Sequence, residues 1–399
     1  MENGTVRPNK KSFQWSKLFV QNPQYFDYDL LMILVFLMCF GLVMLYSTSA
    51  YSANADFGND MFYFSKQAII SAVSFAFMLF VSKLDYHVYG AFSWQIYYIS
   101  LFLMLLVKTP LGVEAYGSRR WLQLPGKMTL QPSEIAKIAV ILLIPYEICR
   151  LGPKIQSKKG IERVCAVGAV AAGGVMVLTD NLSTAIIVAG ITGILIFVAH
   201  PKIKPFLQLI AAGAVVVVVG LSYLSANISS SENFRLRRII TWLDPENHAD
   251  EGGFQVMQGL YAIGSGGLFG RGLGQSIQKL GFVPEAQNDM IFSIICEELG
   301  LFGACFILML FLLLIWRFFV IATQAKDLFG ALIASGAMAH MMIQVILNIA
   351  VVTNTIPNTG ITLPFISYGG TSVVFLLVEM GLVLSVSKNG SYCEEEITE

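Results

Sequence analysis

Charged residues are scarce in this sequence: Asp, Glu, Lys and Arg make up 13% of its 399 residues, against about 25% in a typical soluble domain. Hydrophobic residues make up 55%. Such a chain has too little polar surface to cover its apolar surface, so we predict that lipid solvates much of it. The 26 basic and 26 acidic residues cancel, so the net charge gives no support for a nucleic-acid partner.

Metal-binding and disulfide patterns are also missing. The four histidines are scattered, and none of the six cysteines has the spacing of a metal ligand. The cysteines lie in or beside apolar runs, or in the C-terminal tail: Cys39, Cys149, Cys165, Cys296, Cys305 and Cys393. We therefore expect neither a metal cluster nor disulfides. The N-terminus is polar for about 30 residues, which predicts that no signal peptide is cleaved.

Long apolar runs dominate the remainder of the chain. Ten of them are long enough to cross about 30 Å of hydrocarbon, at 30–50, 61–81, 88–107, 131–149, 164–179, 182–198, 206–228, 290–315, 328–352 and 367–386. The stretch 164–198 is too long for one span, and we interpret it as two short helices that meet at Asp180 and Asn181. The predicted fold is an all-α polytopic membrane protein with ten transmembrane helices.

The distribution of Lys and Arg predicts the orientation. An even number of spans places both termini on one side, and a cytoplasmic N-terminus places more Lys and Arg in the inner segments. We therefore predict a cytoplasmic tail over 1–28, a transmembrane domain over 29–388 and a cytoplasmic tail over 389–399. Between the seventh and eighth helices, residues 225–289 form a large extracytoplasmic loop.

Two of the predicted outer loops, 108–130 and 225–289, are too long to be simple connectors. Within the second, Phe234–Leu243 alternates arginines with Leu, Ile and Trp, a pattern typical of a helix that lies on lipid headgroups. The glycine-rich stretch 264–274 fits either a backbone nest that binds an anion or a flexible loop.

Several ionisable residues fall in or beside the apolar runs, where they are costly and therefore candidates for function. Glu134 and Lys137 share one face of the fourth span, either as an ion pair that permits insertion or as part of a substrate groove. Asp289 precedes the eighth span, where a helix-capping acid is also favoured. Glu297 and Glu298 lie deeper in that span and require partners.

The ninth span carries His340, Gln344 and Asn348 at a spacing of four residues, which forms one polar stripe. Hydrogen bonds between helices explain such a stripe, and a path for protons or substrate is the alternative. Glu379 in the last span is equally ambiguous. At this point a transporter, an enzyme that acts on a lipid-linked substrate and a scaffold all remain open.

Seven motifs narrow this choice. In chain order they read GSRRWL at 117–122, QPSEIAK at 131–137, RRIITWLDP at 237–245, AIGSGGLFG at 262–270, PEAQND at 284–289, EELG at 297–300 and TGITLPFISYGG at 359–370. With these motifs the chain resembles the shape, elongation, division and sporulation (SEDS) family over nearly its whole length, and within it the division-type members. It departs from the family at 180–184, where DNLST replaces a PDLGT-like turn, and we assign no role there.

The resemblance implies a peptidoglycan glycosyltransferase that polymerises lipid II, with undecaprenyl-pyrophosphate-linked glycan as donor. Asp289 corresponds to the family's catalytic aspartate and would serve as general base. The residues predicted to bind substrate are Arg119, Arg120, Glu134, Lys137, Glu285 and Ser367. No cofactor is evident, although a divalent cation (Mg²⁺ or Mn²⁺) could help the basic residues to stabilise the pyrophosphate.

The resemblance also implies partners and a location. We expect a class B penicillin-binding protein as the transpeptidase partner, other membrane proteins of the division machinery, and a place in the bacterial cytoplasmic membrane at the division septum. Two other functions remain open: a lipid II flippase and a division scaffold without chemistry.

Overall fold

The computed structural model describes residues 26–115, 118–124, 128–200, 234–248 and 253–388. Outside these residues lie the seventh predicted span, 206–228, parts of the predicted loop 225–289, most of the predicted N-terminal tail and all of the predicted C-terminal tail. The described chain is mostly helical. Six helices are long and apolar enough to cross a membrane: α1 (Tyr28–Phe57), α2 (Phe62–Val81), α6 (Lys158–Leu178), α7 (Leu182–Ala199), α10 (Ile291–Gln324) and α11 (Leu328–Val352).

The remaining elements are shorter or more polar. They are α3 (Tyr86–Ala91), α4 (Ser93–Leu106), α5 (Pro132–Leu151), a 3₁₀ turn (Gly152–Gln156), α8 (Phe234–Leu243), α9 (Gly253–Gly266) and α12 (Ser372–Lys388). Helices thus occupy nine of the ten predicted spans, and the third of these is divided at Phe92 into α3 and α4. The total of ten spans stays a prediction.

The boundary between α6 and α7 shows how local sequence places a helix end. The helix α6 ends at Leu178, and Asn181 starts α7 by accepting a hydrogen bond from the Thr184 amide at 3.1 Å. This side-chain cap satisfies an amide that has no partner within the helix. The predicted pair of short helices that meet at a polar turn is therefore confirmed.

A small antiparallel sheet corrects the all-α prediction. The strands β1 (Gly112–Ala115), β2 (Ser118–Leu124) and β3 (Met128–Leu130) pair in the order β1-β2-β3. They lie in the predicted loop 108–130 and are too short to show a clear alternation of apolar and polar residues. The Thr371 hydroxyl donates to the Thr129 carbonyl at 2.7 Å, which ties β3 to the start of α12.

The helix α5 lies at the centre of the bundle. It packs against α4, α6, α7, α11 and α12, and most of its residues are buried, including Glu134, Lys137 and Glu147. The charged residues of the fourth predicted span therefore face protein rather than lipid, which is the placement that such residues require.

Candidate active site

Asp289 lies in the turn that leads into α10, which begins at Ile291 with Met290 as its N-cap residue. Asn348 on α11 fixes its position. The side-chain amide of Asn348 donates to the Asp289 carbonyl at 2.9 Å and to the Ile361 carbonyl at 2.7 Å. Asp289 stands one residue before the N-cap, so the position predicted for a capping acid belongs to Met290.

Asp289 is 9% exposed. Burial, reinforced by the negative charge of Glu285, raises the pKa of Asp289 to about 7, although Arg238 and the backbone amides of Asp289 and Met290 act in the opposite direction. A carboxyl group with a pKa near the working pH can both accept and release a proton, which is what a general base requires.

A chain of amide hydrogen bonds orients this carboxylate. Gln255 on α9 donates from Nε2 to Asp289 Oδ1 at 3.4 Å and to the Pro284 carbonyl at 3.2 Å. The Asn358 side chain donates to Gln255 Oε1 at 3.0 Å and accepts from the Gly360 amide at 3.0 Å. The loop that joins α11 to α12 thereby holds Gln255 against Asp289.

Arg238 on α8 is a site residue that the sequence interpretation missed. Burial lowers the pKa of its guanidinium, and the negative charge of Asp289 acts in the opposite direction. Trp242, one turn further along α8, donates from Nε1 to the Asn354 carbonyl at 2.9 Å and docks the helix on the end of α11. The signal was present in the RRIITWLDP motif, but the motif alone did not show which arginine approaches Asp289.

Glu285, one of the residues predicted to bind substrate, lies four residues before Asp289, and its charge acts on the Asp289 carboxyl group. Its backbone has a positive φ of 54°, and its carboxylate accepts a hydrogen bond from the Asn288 side chain. A non-glycine residue in this conformation carries backbone strain and often marks a functional site. The strained turn keeps two carboxylates, those of Glu285 and Asp289, near each other.

Glu134 and Lys137 form a second group of predicted site residues. Lys137 Nζ lies 3.0 Å from Glu134 Oε1 and 3.4 Å from Gln344 Oε1, and all three side chains are buried. Gln344 also donates to the Thr362 carbonyl at 3.1 Å. Gln344 bonds to Lys137, and Asn348 bonds to Asp289. Since Gln344 and Asn348 lie one turn apart on α11, the group around Lys137 is a neighbour of the group around Asp289.

The polar stripe of α11 continues to Glu379 on α12. His340 Nδ1 lies 2.7 Å from Glu379 Oε2, and His340 Nε2 lies 2.8 Å from Gln344 Oε1. The predicted bonding between helices therefore exists, and it extends the network that surrounds Lys137. The side chains of His340 and Glu379 are each 1% exposed.

The three remaining predicted residues lie elsewhere. Arg119 on β2 is half exposed and pairs with Glu114 on β1 at 3.4 Å, and its neighbour Arg120 is partly buried. Ser367 Oγ accepts the Leu363 amide at 2.8 Å, a bond within its own turn. The next residue, Tyr368, donates its amide to the Gln287 carbonyl at 2.9 Å, so this turn supports the loop before Asp289. Substrate binding by these residues stays a prediction.

The described residues contain no group of three or more His, Cys, Asp or Glu side chains that could hold a metal ion. The carboxylates of Asp289 and Glu285 nevertheless lie near each other. Mg²⁺ is commonly held by one or two carboxylates together with substrate phosphates, so the residues present fit a cation that arrives with a pyrophosphate.

The fold and the site define a multi-pass membrane protein with a buried carboxyl group of raised pKa beside a cationic side chain. Residues 28–392 match the FtsW, RodA and SpoVE family, described as cell cycle proteins, and the chain belongs to this family.

Two relatives are similar over almost their full length. The chain is 38% identical to stage V sporulation protein E of Bacillus subtilis, with 91% of this chain and 98% of that protein covered. It is 35% identical to a probable peptidoglycan glycosyltransferase FtsW of Geobacter sp. strain M18, with 91% and 96% covered.

Two solved structures share the fold. One is a chain from work on the structural coordination of polymerization and crosslinking by a peptidoglycan synthase complex, with a TM-score of 0.74, 25% identity and coverage of 92% of this chain and 99% of that one. The other is the rod shape determining protein RodA of Thermus thermophilus, with a TM-score of 0.67, 24% identity and coverage of 93% and 100%.

Proposed function

We propose that this protein is a peptidoglycan glycosyltransferase that polymerises lipid II into glycan strands. The observation that carries the proposal is the buried carboxyl group of Asp289, whose pKa is about 7 and which neighbours Arg238 and the Lys137 network. The name of the Geobacter relative, a probable peptidoglycan glycosyltransferase, supports the same activity.

In this reaction Asp289 accepts the proton of a sugar hydroxyl on the incoming lipid-linked precursor. The hydroxyl oxygen forms a bond to the anomeric carbon of the growing glycan, and the bond from that carbon to undecaprenyl pyrophosphate breaks. The leaving pyrophosphate takes the electron pair of the broken bond. Arg238, whose charge acts on Asp289, and Lys137, which Gln344 holds one turn of α11 away from Asn348, would stabilise this negative charge. Arg119 and Arg120 would bind the pyrophosphate from β2.

A divalent cation, Mg²⁺ or Mn²⁺, would add positive charge at the leaving group when bound. Glu285 would be its protein ligand, because the proximity of Glu285 and Asp289 is electrostatically unfavourable and a cation relieves it. With Glu285 as the cation ligand, the Asp289 carboxylate can still accept the proton of the sugar hydroxyl.

The finer features are part of the same proposal. The chain crosses the cytoplasmic membrane ten times with both termini inside, and loop 225–289 belongs to the extracytoplasmic side. The enzyme serves the division septum with other division proteins. A class B penicillin-binding protein crosslinks the strands, which is supported by the fold shared with a chain of a complex that coordinates polymerization with crosslinking.

The test is polymerisation of labelled lipid II in detergent by the full chain, with and without a class B penicillin-binding protein. We expect Asp289→Asn to lower the rate by at least about 10²-fold, the scale for loss of a general base. The matched control is Glu162→Gln on α6, an exposed acid-to-amide change that we expect to leave the rate unchanged. Melting curves would verify that both variants fold.

The outcomes separate the alternatives. Near-normal polymer from a folded Asp289→Asn protein would refute the assignment of Asp289 as base. No polymer from the wild-type chain, alone or with its partner, would refute the glycosyltransferase. A flippase would then be indicated by lipid II transport across liposomes, and a scaffold by partner binding without either activity.

A further inference from the structure

The helix α10 is interrupted at Gly300, where φ is 67° and ψ is −165°. The amides of Leu301 and Phe302, which follow the interruption, donate to the carbonyls of Gly267 and Leu268 at 3.0 and 3.1 Å. The segment that follows α9 therefore supplies the acceptors for these two amides.

The carbonyls on the other side of the interruption are also paired with this segment. Glu297 and Glu298 accept at their backbone oxygens from the amides of Arg271 and Gly272, each at 2.9 Å. Residues 267–283, named here the inserted segment, thus fill the gap in the helix from both sides.

The side chain of Glu297 pairs further groups of the inserted segment. Its carboxylate accepts from the Ser276 hydroxyl and from the amides of Ile277 and Gln278, the latter two at 3.1 and 3.4 Å. Arg271 lies 3.6 Å from it. The carboxylate is fully buried, so its hydrogen bonds are made to protein.

Glu298 is neutralised in the same way. Lys279 Nζ lies 2.7 Å from Glu298 Oε1, and the Ser47 hydroxyl of α1 donates to the same oxygen at 2.7 Å. Both charged side chains are at least nine-tenths buried. Irregular backbone at membrane depth requires such internal pairing, because hydrocarbon offers no hydrogen bonds.

The outer surface of the inserted segment is mostly apolar, although Arg271 and Gln275 are exposed as well. Six large apolar side chains are between 45% and 78% exposed: Leu268, Phe269, Leu273, Ile277, Leu280 and Phe282. The Phe269 ring stacks on Phe302 of α10 at 5.0 Å. The surface continues along α10 through the exposed Phe302, Phe306 and Met309, on a helix suited to cross a membrane.

The depth of this surface in the membrane follows from charged residues near the C-terminal end of α10. Arg317 pairs there with Asp27 and Asp29 at the start of α1, at 2.6 and 3.2 Å, so these charges mark one edge of the hydrocarbon. Phe302 lies fifteen residues away, or about 22 Å along the helix, within a hydrocarbon layer of about 30 Å. We therefore expect Phe269, which stacks on Phe302, to lie inside the layer.

We propose that the inserted segment binds the hydrocarbon of the leaflet on the Asp289 side, with its exposed apolar side chains among the acyl chains. The placement does not depend on the proposed activity. If that activity holds, the segment fixes the height of Asp289 above the hydrocarbon, since it joins α9, which carries Gln255, to the turn that carries Glu285 and Asp289. A reaction between two lipid-linked substrates requires such a fixed height.

The test uses spin labels on single cysteines in the cysteine-free full chain, reconstituted in phosphatidylethanolamine and phosphatidylglycerol liposomes. Labels are placed at 269 and 273, and accessibility to oxygen and to a water-soluble nickel chelate is measured. Position 306 on α10 is the lipid control, and exposed position 246 is the water control. Position 273 serves as a second variant because Leu273 takes no part in the ring stack.

We expect the ratio of oxygen to nickel accessibility at 269 and 273 to match that at 306 and to exceed that at 246. Nickel accessibility equal to that at 246 would place the segment in water and overturn the proposal. Low accessibility to both reagents would show that protein covers the surface, as in a complex of two copies, and would also overturn it.

Discussion

The protonation of Asp289 is set by groups that act in opposite directions. Burial and Glu285 favour the neutral acid, whereas Arg238 and two backbone amides favour the carboxylate. Their balance brings the pKa to about 7, so near neutral pH both forms are populated. A base of this kind changes its activity within the physiological range.

This balance predicts the pH dependence of polymerisation. The base must be ionised to accept a proton, so we expect the rate to rise as pH increases through about 7 and to level off roughly one unit above it. Initial rates at saturating lipid II between about pH 5.5 and 9 would measure this. A rate that is flat from pH 5.5 to 7.5 would contradict an essential base with this pKa.

At the scale of an element, α5 carries a buried pair whose two members depend on each other. Lys137 is 3% exposed and Glu134 is 9% exposed at the side chain. Removal of one partner from a buried pair leaves an uncompensated charge, at a cost of about 3–5 kcal/mol, whereas replacement of both is often nearly neutral.

We therefore expect Lys137→Ala to lower both stability and polymerisation, and to lower polymerisation more than Arg119→Ala, because Arg119 is exposed and pairs with Glu114. The double change Glu134→Gln with Lys137→Met separates the two effects, since it removes both charges at similar volume. If the pair binds pyrophosphate, the double variant melts near the wild type but makes little polymer. A normal polymerisation rate of the double variant would show that the pair serves membrane insertion only.

The glycine-rich stretch has a structural role that was not among its two predicted interpretations. A Cβ atom on Gly266 would lie 1.9 Å from the Cys296 carbonyl oxygen, whereas a Cβ on Gly264 of the same helix would meet nothing within 4 Å. Glycine at 266 therefore permits close contact between α9 and α10.

These two positions form a matched pair. We expect Gly266→Ala to destabilise the protein by about 1–3 kcal/mol, because a backbone must move to relieve the clash. Gly264→Ala should be neutral or stabilising by up to about 1 kcal/mol, since alanine favours a helix. Thermal melting in detergent would measure both, and equal melting temperatures would contradict the packing role.

At the scale of the whole molecule, the proposed orientation is open to direct labelling. Lys158 at the start of α6 is 92% exposed at its side chain, and Glu246, which follows α8, is also exposed. With the N-terminus inside, position 158 is cytoplasmic and position 246 is external.

We expect an impermeant maleimide to label a cysteine at 246 but not one at 158 in intact cells stripped of their wall. Both cysteines should react after the membrane is permeabilised, which is the control for reactivity. Labelling of 158 alone in intact cells would show that the orientation is inverted.

Much of the fold could be predicted because apolar length and helix caps are local properties. The amphipathic helix Phe234–Leu243 was predicted with the bounds that the structure has, and the break at Asp180 and Asn181 followed from two polar residues in an apolar stretch. The sheet β1-β2-β3 was missed, since its strands of four, seven and three residues depend on pairing with one another.

The sequence by itself determined that this is a membrane protein, where the nine helical spans of the described residues lie, and which family its motifs belong to. Hydropathy, capping and motif spacing depend on residues that are near one another in the chain.

Only the tertiary structure decided which groups act together. Lys137 meets Gln344 across 207 positions, and Ser47 meets Glu298 across 251. The burial that raises the pKa of Asp289 and the charge of Arg238 beside it likewise depend on how α8, α9, α10 and α11 converge. Such contacts leave no local pattern, because packing brings together residues that the chain keeps far apart.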